Sequence, residues 1–410
     1  MAWAAFAAAQ PVPVEFTGQV RVRNENDGRD FNSDTGMKSF NPMRTQLGIT
    51  VHPVEDMKVF VQVQDARVLG GEDVSTVPGV SDPNTLDLHQ GFFQVDNLGW
   101  EGFGVKFGRM ETRWGNERLL GVTDWNNIPT AFDGGIVSLG RERAQAQVMW
   151  SKLVERDTPV VGTPDTENSD RTLLGGIGTV GVNEYASVDV QVLNVRDKVT
   201  VAEDDDAMLT TVAGRVFGEA ASRWDYSVEG AYQVGTQETG PATEVDLGGW
   251  MFGGEVGLTF GAEERPVRFG VGYDHLSGDD ASTTDKVESF NTLFGDNHKF
   301  YGLMDVPQVL SSAGVRDIKV NAKARVWSNT DNVVSFGGEF HNFSAAETAV
   351  GVESALGNEV DVHATWAYRE RFIPTLGVSA FLPGDAIPGP TPGASADNAY
   401  WVYLQGVVSF

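Results

Sequence analysis

Lys319, Asn321, Lys323 and Arg325 are spaced by two, which in an extended chain sets all four side chains on one face. Three cations and an amide in a row attract and orient anions but break no bonds, so the pattern points to a binding or conducting wall. Arg21 and Arg23 repeat the spacing, and Arg44, Lys106, Arg215 and Arg268 extend the basic set. Bond-making chemistry finds less support. The chain has 6 His and no Cys, and the lack of thiols excludes a disulfide scaffold, a thiolate metal site, a Cys nucleophile and c-type haem attachment. His89, His275, His298, His341 and His363 show no triad spacing, and no Gly-rich loop follows a strand and opens a helix. Glu203-Asp204-Asp205-Asp206 and the group Asp279, Asp280, Asp285 lack the twelve-residue calcium pattern and read as solvated faces. No metal or cofactor is expected.

Such a wall needs strands. In Val14 to Arg23 one face is Val14, Phe16, Gly18, Val20, Val22 and the other Glu15, Thr17, Gln19, Arg21, Arg23. The same alternation runs from Trp224 to Gln233 and from Ile318 to Val326, while no helical periodicity and no run of eighteen apolar residues appears anywhere. Walking the chain gives about eighteen candidate strands, joined alternately by short and long connections. Short ones include 52–56, 181–183, 261–265 and 328–331; long ones include 24–42, 68–86, 111–132, 155–170, 276–313 and 383–397. A soluble sandwich also alternates, but it has no reason to sort its loops by length. An even strand count with short turns at one end and long loops at the other predicts an all-β, antiparallel, up-and-down transmembrane barrel with long extracellular loops and both termini at the periplasmic end.

The charge balance agrees. Of 410 residues, 57 are Asp or Glu and 30 Lys or Arg, a net of −27, and most of the excess acid falls in the long connections. Without a segregated basic patch, nucleic acid is excluded as the main partner. Trp150, Trp224, Tyr226, Trp250, Phe252, Phe260, Tyr273, Trp366 and Tyr368 lie on oily faces near strand ends, as interfacial girdles require, and the last strand carries its oily face to Phe410. Residues 1–12, with Ala5-Phe6-Ala7 like a signal-peptidase site, read as a residual export segment ahead of one barrel domain at 13–410. The partners expected are outer-membrane lipid and lipopolysaccharide and small solutes.

Four segments resemble the alginate-export family of outer-membrane porins: Phe40-Asn41-Pro42-Met43-Arg44-Thr45-Gln46-Leu47-Gly48; Phe60-Val61-Gln62-Val63-Gln64-Asp65-Ala66-Arg67; Gly108-Arg109 through Gly115-Asn116-Glu117-Arg118-Leu119-Leu120-Gly121 to Trp125-Asn126 and Phe132-Asp133-Gly134; and Leu293-Phe294-Gly295-Asp296-Asn297-His298-Lys299-Phe300-Tyr301-Gly302 with Met304-Asp305. The resemblance implies a monomeric eighteen-stranded barrel in the outer membrane of a Gram-negative-type bacterium, its loops folded into an Arg-lined pore for anionic polysaccharide or related small solutes. Two residues before Asp133, where the family commonly has Arg, this chain has Ala131.

The expected pore and constriction residues are Arg44, Gln62, Gln64, Asp65, Arg67, Arg109, Arg118, Trp125, Asp133, His298, Lys299, Lys319, Asn321, Lys323 and Arg325. Arg109, Asp65 and Arg67 share the parity of lipid-facing neighbours, so a bulge or a strand end is required to turn them inward. Loop 111–132, with Arg118 and Trp125, is expected to fold inward as the constriction; alternatively Arg118 braces Asp133. The leading expectation is passive diffusion of small hydrophilic anions such as sugar acids or oligosaccharides, without enzymatic activity. A structural barrel sheathing an electron conduit and an outer-membrane hydrolase are the alternatives.

Overall fold

The computed structural model describes residues 12–70, 86–155, 170–198, 207–221, 223–240, 243–306, 309–349, 351–391 and 393–410. The Ala5-Phe6-Ala7 element and the acidic run at 203–206 lie outside the described residues. Eighteen long strands form the wall: β1 Val14–Gly28, β2 Pro42–Val54, β3 Met57–Val68, β4 Asp87–Val95, β5 Phe103–Met110, β6 Phe132–Arg141, β7 Ala144–Val154, β8 Arg171–Gly181 and β9 Ser187–Asp197. They continue as β10 Ala207–Ala220, β11 Trp224–Gly240, β12 Trp250–Phe260, β13 Val267–Leu276, β14 Val315–Ser328, β15 Asn332–Ser344, β16 Ala355–Tyr368, β17 Phe372–Pro383 and β18 Ala399–Ser409. Short strands at Lys38–Phe40, Thr243–Leu247 and Lys286–Val287 decorate the long-loop end.

Each strand pairs antiparallel with its chain neighbours, and β1 pairs with both β2 and β18, which closes the sheet into an eighteen-strand barrel. Closure leaves no exposed edge, the condition for spanning lipid with strands. At the seam the backbone N–H groups of Gly18 and Phe410 each donate to the other residue's carbonyl at 3.0 Å. The Phe410 ring occupies the space a Cβ on Gly18 would take, 2.2 Å from its nearest carbon, so a larger residue there must push the ring aside.

The eighteen expected strands are all present. The first is longer than its alternation suggested, reaching Gly28 rather than residue 23, because Asn24, Glu25, Asn26 and Asp27 are polar on both faces while pairing with β18 continues to Gly28↔Tyr400. Periodicity fades there although the ladder does not.

Apolar side chains are turned outward: Leu47, Ile49, Val61, Phe93, Phe107, Val137, Val190, Val228, Val320 and Leu404 are all exposed. The expected girdle residues other than Tyr226 are exposed as well. The buried apolar cluster lies inside the barrel. It joins Met110, Trp114, Leu119, Leu120 and Phe132 to Phe290, Tyr301, Met304, Val306 and Val309, so loops 111–131 and 277–314 meet within the wall rather than standing above it.

Candidate pore and constriction

Loop 111–131 is held inside by backbone pairing with the other inward loop. Leu120 and Phe294 form a parallel bridge, Gly121 N–H donates to Phe294 O at 2.9 Å, Phe294 N–H to Leu119 O at 3.0 Å, and Asp296 N–H to Glu117 O at 2.9 Å. The wall fastens the same loop through arginines. Arg21, Arg23 and Arg44 are at most 4% exposed, and Arg21 and Arg44 stand opposite each other in the β1–β2 register. Arg21 donates to the carbonyls of Asp124 and Asn126 at 2.7 Å each, and Arg44 donates to the Asp124 carboxylate at 2.9 Å. Arg23 lies over the Trp125 ring at 3.8 Å and pairs with Glu25. Burial pushes the Asp124 carboxyl up, but Arg44 and Arg21 overcome this and hold it below its ordinary range.

Arg118 is the centre of a larger brace. It pairs with Glu229 of β11 and, at 3.0 Å, with Asp274 of β13, donates to the Tyr301 hydroxyl at 2.9 Å and lies 4.0 Å from the Phe300 ring centre. Burial works against its charge, and the pull of Tyr301, Asp274 and Glu229 more than offsets that, so its proton is held more tightly than usual. Asp274 also accepts from Lys319 at 2.7 Å. Two acids therefore neutralise the two cations, and all four groups are inaccessible or nearly so. The alternative brace to Asp133 is corrected: Asp133 pairs with Arg109.

Trp125 stacks on His298 with ring centres 4.5 Å apart and meets Trp401 and Tyr403 edge-on. His298 contacts Asp305 at 2.8 Å, and Lys299, 45% exposed, pairs with Glu117 at 2.6 Å. Gln64 accepts from Gln46 at 2.8 Å and Gln62 from Gln90 at 3.0 Å, giving an amide ladder on the inner wall. Asn321 accepts from Arg268, which is also held by Asp225 and Glu255. Lys323 and Arg325 are exposed on the inward parity of β14, and among the described residues neither has an acidic partner.

Four expected residues are elsewhere. Arg109 and Asp133 face each other across β5–β6 at 2.6 Å, in a register without a shift, on the face that carries exposed Phe107 and Val137. Asp65 and Arg67 pair with each other on the face of Val61 and Val63. No bulge at Arg109, Asp65 or Arg67 turns them inward, so the required turn does not occur and all four sit on the outer face at the long-loop end. Each is neutralised by its neighbour, which makes a charge tolerable at the membrane rim.

Sequence reasoning passed over Lys58, which stands first but one in β3 and shares the parity of Gln62 and Gln64. That parity was sufficient to place it inside. It also missed Asp124, Glu117, Trp401 and the buried Glu359, which accepts from the Met304 amide at 2.8 Å. Those contacts depend on how the loops fold back.

Residues 12–401 match the alginate export family. The fold resembles OccK8 (OprE) of Pseudomonas aeruginosa, with TM-score 0.60, 12% identity and coverage of 97% of this chain and 98% of that one. It resembles a BenF-like porin from Pseudomonas fluorescens Pf-5 with TM-score 0.61, 13% identity and the same coverage. OpdK of Pseudomonas aeruginosa, whose structure was solved with vanillate, matches with TM-score 0.57, 11% identity and coverage of 97% and 98%. No curated protein matches the chain. With a closed eighteen-strand wall, an apolar exterior and a family match over nearly its whole length, the chain belongs to the alginate export family and is a porin-like barrel of the Gram-negative outer membrane.

Proposed function

We propose that the barrel is a passive channel for small hydrophilic solutes with a preference for anions. The observation that carries this is which lumenal charges remain uncompensated. Arg23, Arg44, Arg118, Arg215, Arg268 and Lys319 each have a carboxylate partner. Lys58, Lys106, Lys323 and Arg325 have none among the described residues; against them stand inward acids without a cation, Glu15 and Glu219, which are exposed, and Glu359 and Asp361, which are buried against the Met304 and Leu303 amides, so the accessible unpaired charge that a solute meets is on balance basic. Arg21 adds a cation held only by carbonyls and an amide. Sugar acids and short acidic oligosaccharides fit such a wall, as do small carboxylates of the kind found with OpdK.

Planar-bilayer recordings under a salt gradient test the proposal. The expected result is a reversal potential of anion-selective sign, with chloride current reduced by added glucuronate. A cation-selective reversal potential would mean that the acidic loops dominate the field and would sink the reading.

A further inference from the structure

The cross-strand register Lys58↔Gln94↔Lys106 places Lys58 of β3 and Lys106 of β5 on the inner wall with one strand between them. Both ammonium groups turn toward one ring: the Nζ of Lys106 lies 4.0 Å, and that of Lys58 5.5 Å, from the centre of Phe92. An aromatic face attracts a cation without cancelling its charge, whereas a carboxylate would neutralise it. Lys319 shows the contrast, since its ammonium is spent on Asp274.

A cavity of about 230 Å³ is lined by Lys106, with Lys58 outside its lining across Phe92, and by Gln94, Thr112, Ser138 and Gln147 together with Glu111 and Arg113. Thr112 is 6% exposed and its hydroxyl has no partner, an unmet hydrogen bond that a ligand hydroxyl would satisfy. Glu111, the acid in the lining, is committed to His89 at 2.9 Å and Arg113 at 3.1 Å. Asp96 beside the lining takes the Gln94 amide at 2.9 and 3.0 Å, and with Lys58, Lys106 and Arg113 against Glu111 and Asp96 the residual charge of the site is positive. The cavity is smaller than the roughly 300 Å³ at which drug-sized sites begin, so it suits a single ring rather than a chain.

We propose that Lys58 and Lys106 form an anion subsite beneath the start of loop 111–131, taking the carboxylate of a single hydroxylated acid of sugar-acid size while Thr112 and Ser138 meet its hydroxyls. The assignment rests on the channel reading above and adds to it a discrete, saturable stop on the inner wall.

Calorimetric titration of the purified barrel in detergent with glucuronate, acetate and glucose, run beside bilayer recordings, tests it. The wild type binds glucuronate saturably, acetate more weakly and glucose not measurably. The Lys58→Gln/Lys106→Gln variant, checked for folding by heat-modifiable gel migration, loses affinity for glucuronate by at least about tenfold. A Lys58→Arg/Lys106→Arg variant restores most of it. Unchanged glucuronate affinity in the glutamine variant overturns the subsite, as does a wild type that conducts ions but binds no glucuronate. Acetate binding as tight as glucuronate overturns the hydroxyl contacts. If glucuronate binds and the glutamine variant loses it while the wild type passes no ions, the subsite stands and the channel reading falls.

Discussion

Arg118 carries the clearest consequence at the scale of one residue. The composition of its loop and the resemblance placed it at a constriction, yet it is sealed between Glu229, Asp274 and Tyr301. Replacing it with Gln leaves two carboxylates buried against one remaining cation, Lys319, and is expected to cost about 3–5 kcal/mol of stability, measured as a lower melting temperature of the heat-modifiable band. Its ion preference should shift little. Lys323→Gln is expected to do the reverse, reducing the anion-selective reversal potential with stability unchanged, because Lys323 is exposed and unpartnered. The expectation of Arg118 as a constriction charge is not met. Its error was physical: it counted charge without its neutralising partners, and those partners lie more than a hundred residues away. At Arg109 and Asp65 the residues themselves gave the better reading, since their parity pointed outward and the resemblance overrode it.

At the scale of elements, strand alternation was legible almost throughout, because each face of a strand meets one solvent and a side-chain period of two records it. The inward loops were not. Loop 111–131 was recognised as compact and aromatic, but nothing in its sequence names Phe294 as its backbone partner or Arg21 and Arg44 as its anchors. Those anchors make the loop acid-sensitive. Asp124 and Glu111 are both held below their ordinary range, Asp124 by Arg44 and Arg21, Glu111 by His89 and Arg113, each against the opposing effect of burial. A lowered carboxyl stabilises the fold fully above its unfolded value and ceases to do so as pH falls through its folded value. The loop should therefore stay fastened at every pH above about 4 and loosen below it, seen as new conductance substates in bilayers at pH 3 that are absent at pH 7. Asp124→Asn should show such substates already at neutral pH.

For the whole molecule, net charge and local field point in different directions. The chain is strongly acidic, but on the proposed reading the accessible inner-wall charges without a partner are on balance basic. Surface acids act through salt water and are screened over about 10 Å at 0.1 M and about 3 Å at 1 M. Exposed wall cations such as Lys323 and Arg325 feel the same screening, so anion preference should fall steeply across that salt range. A preference that persisted at 1 M would move selectivity to the half-buried Lys58–Lys106 pair. The seam of Gly18 and Phe410 has its own bearing. Its two strands come from opposite ends of the chain, so their pairing carries the largest loop-closure entropy of any contact in the barrel and is expected to form last. Gly18→Val, whose branched side chain must displace the Phe410 ring, should therefore speed unfolding from detergent micelles several-fold more than it slows refolding. Until that seam zips, β1 and β18 each present an unpaired edge able to capture a second chain. The assembly of this barrel is thus a race between intramolecular closure and aggregation, decided at the ladder that joins β1 to β18.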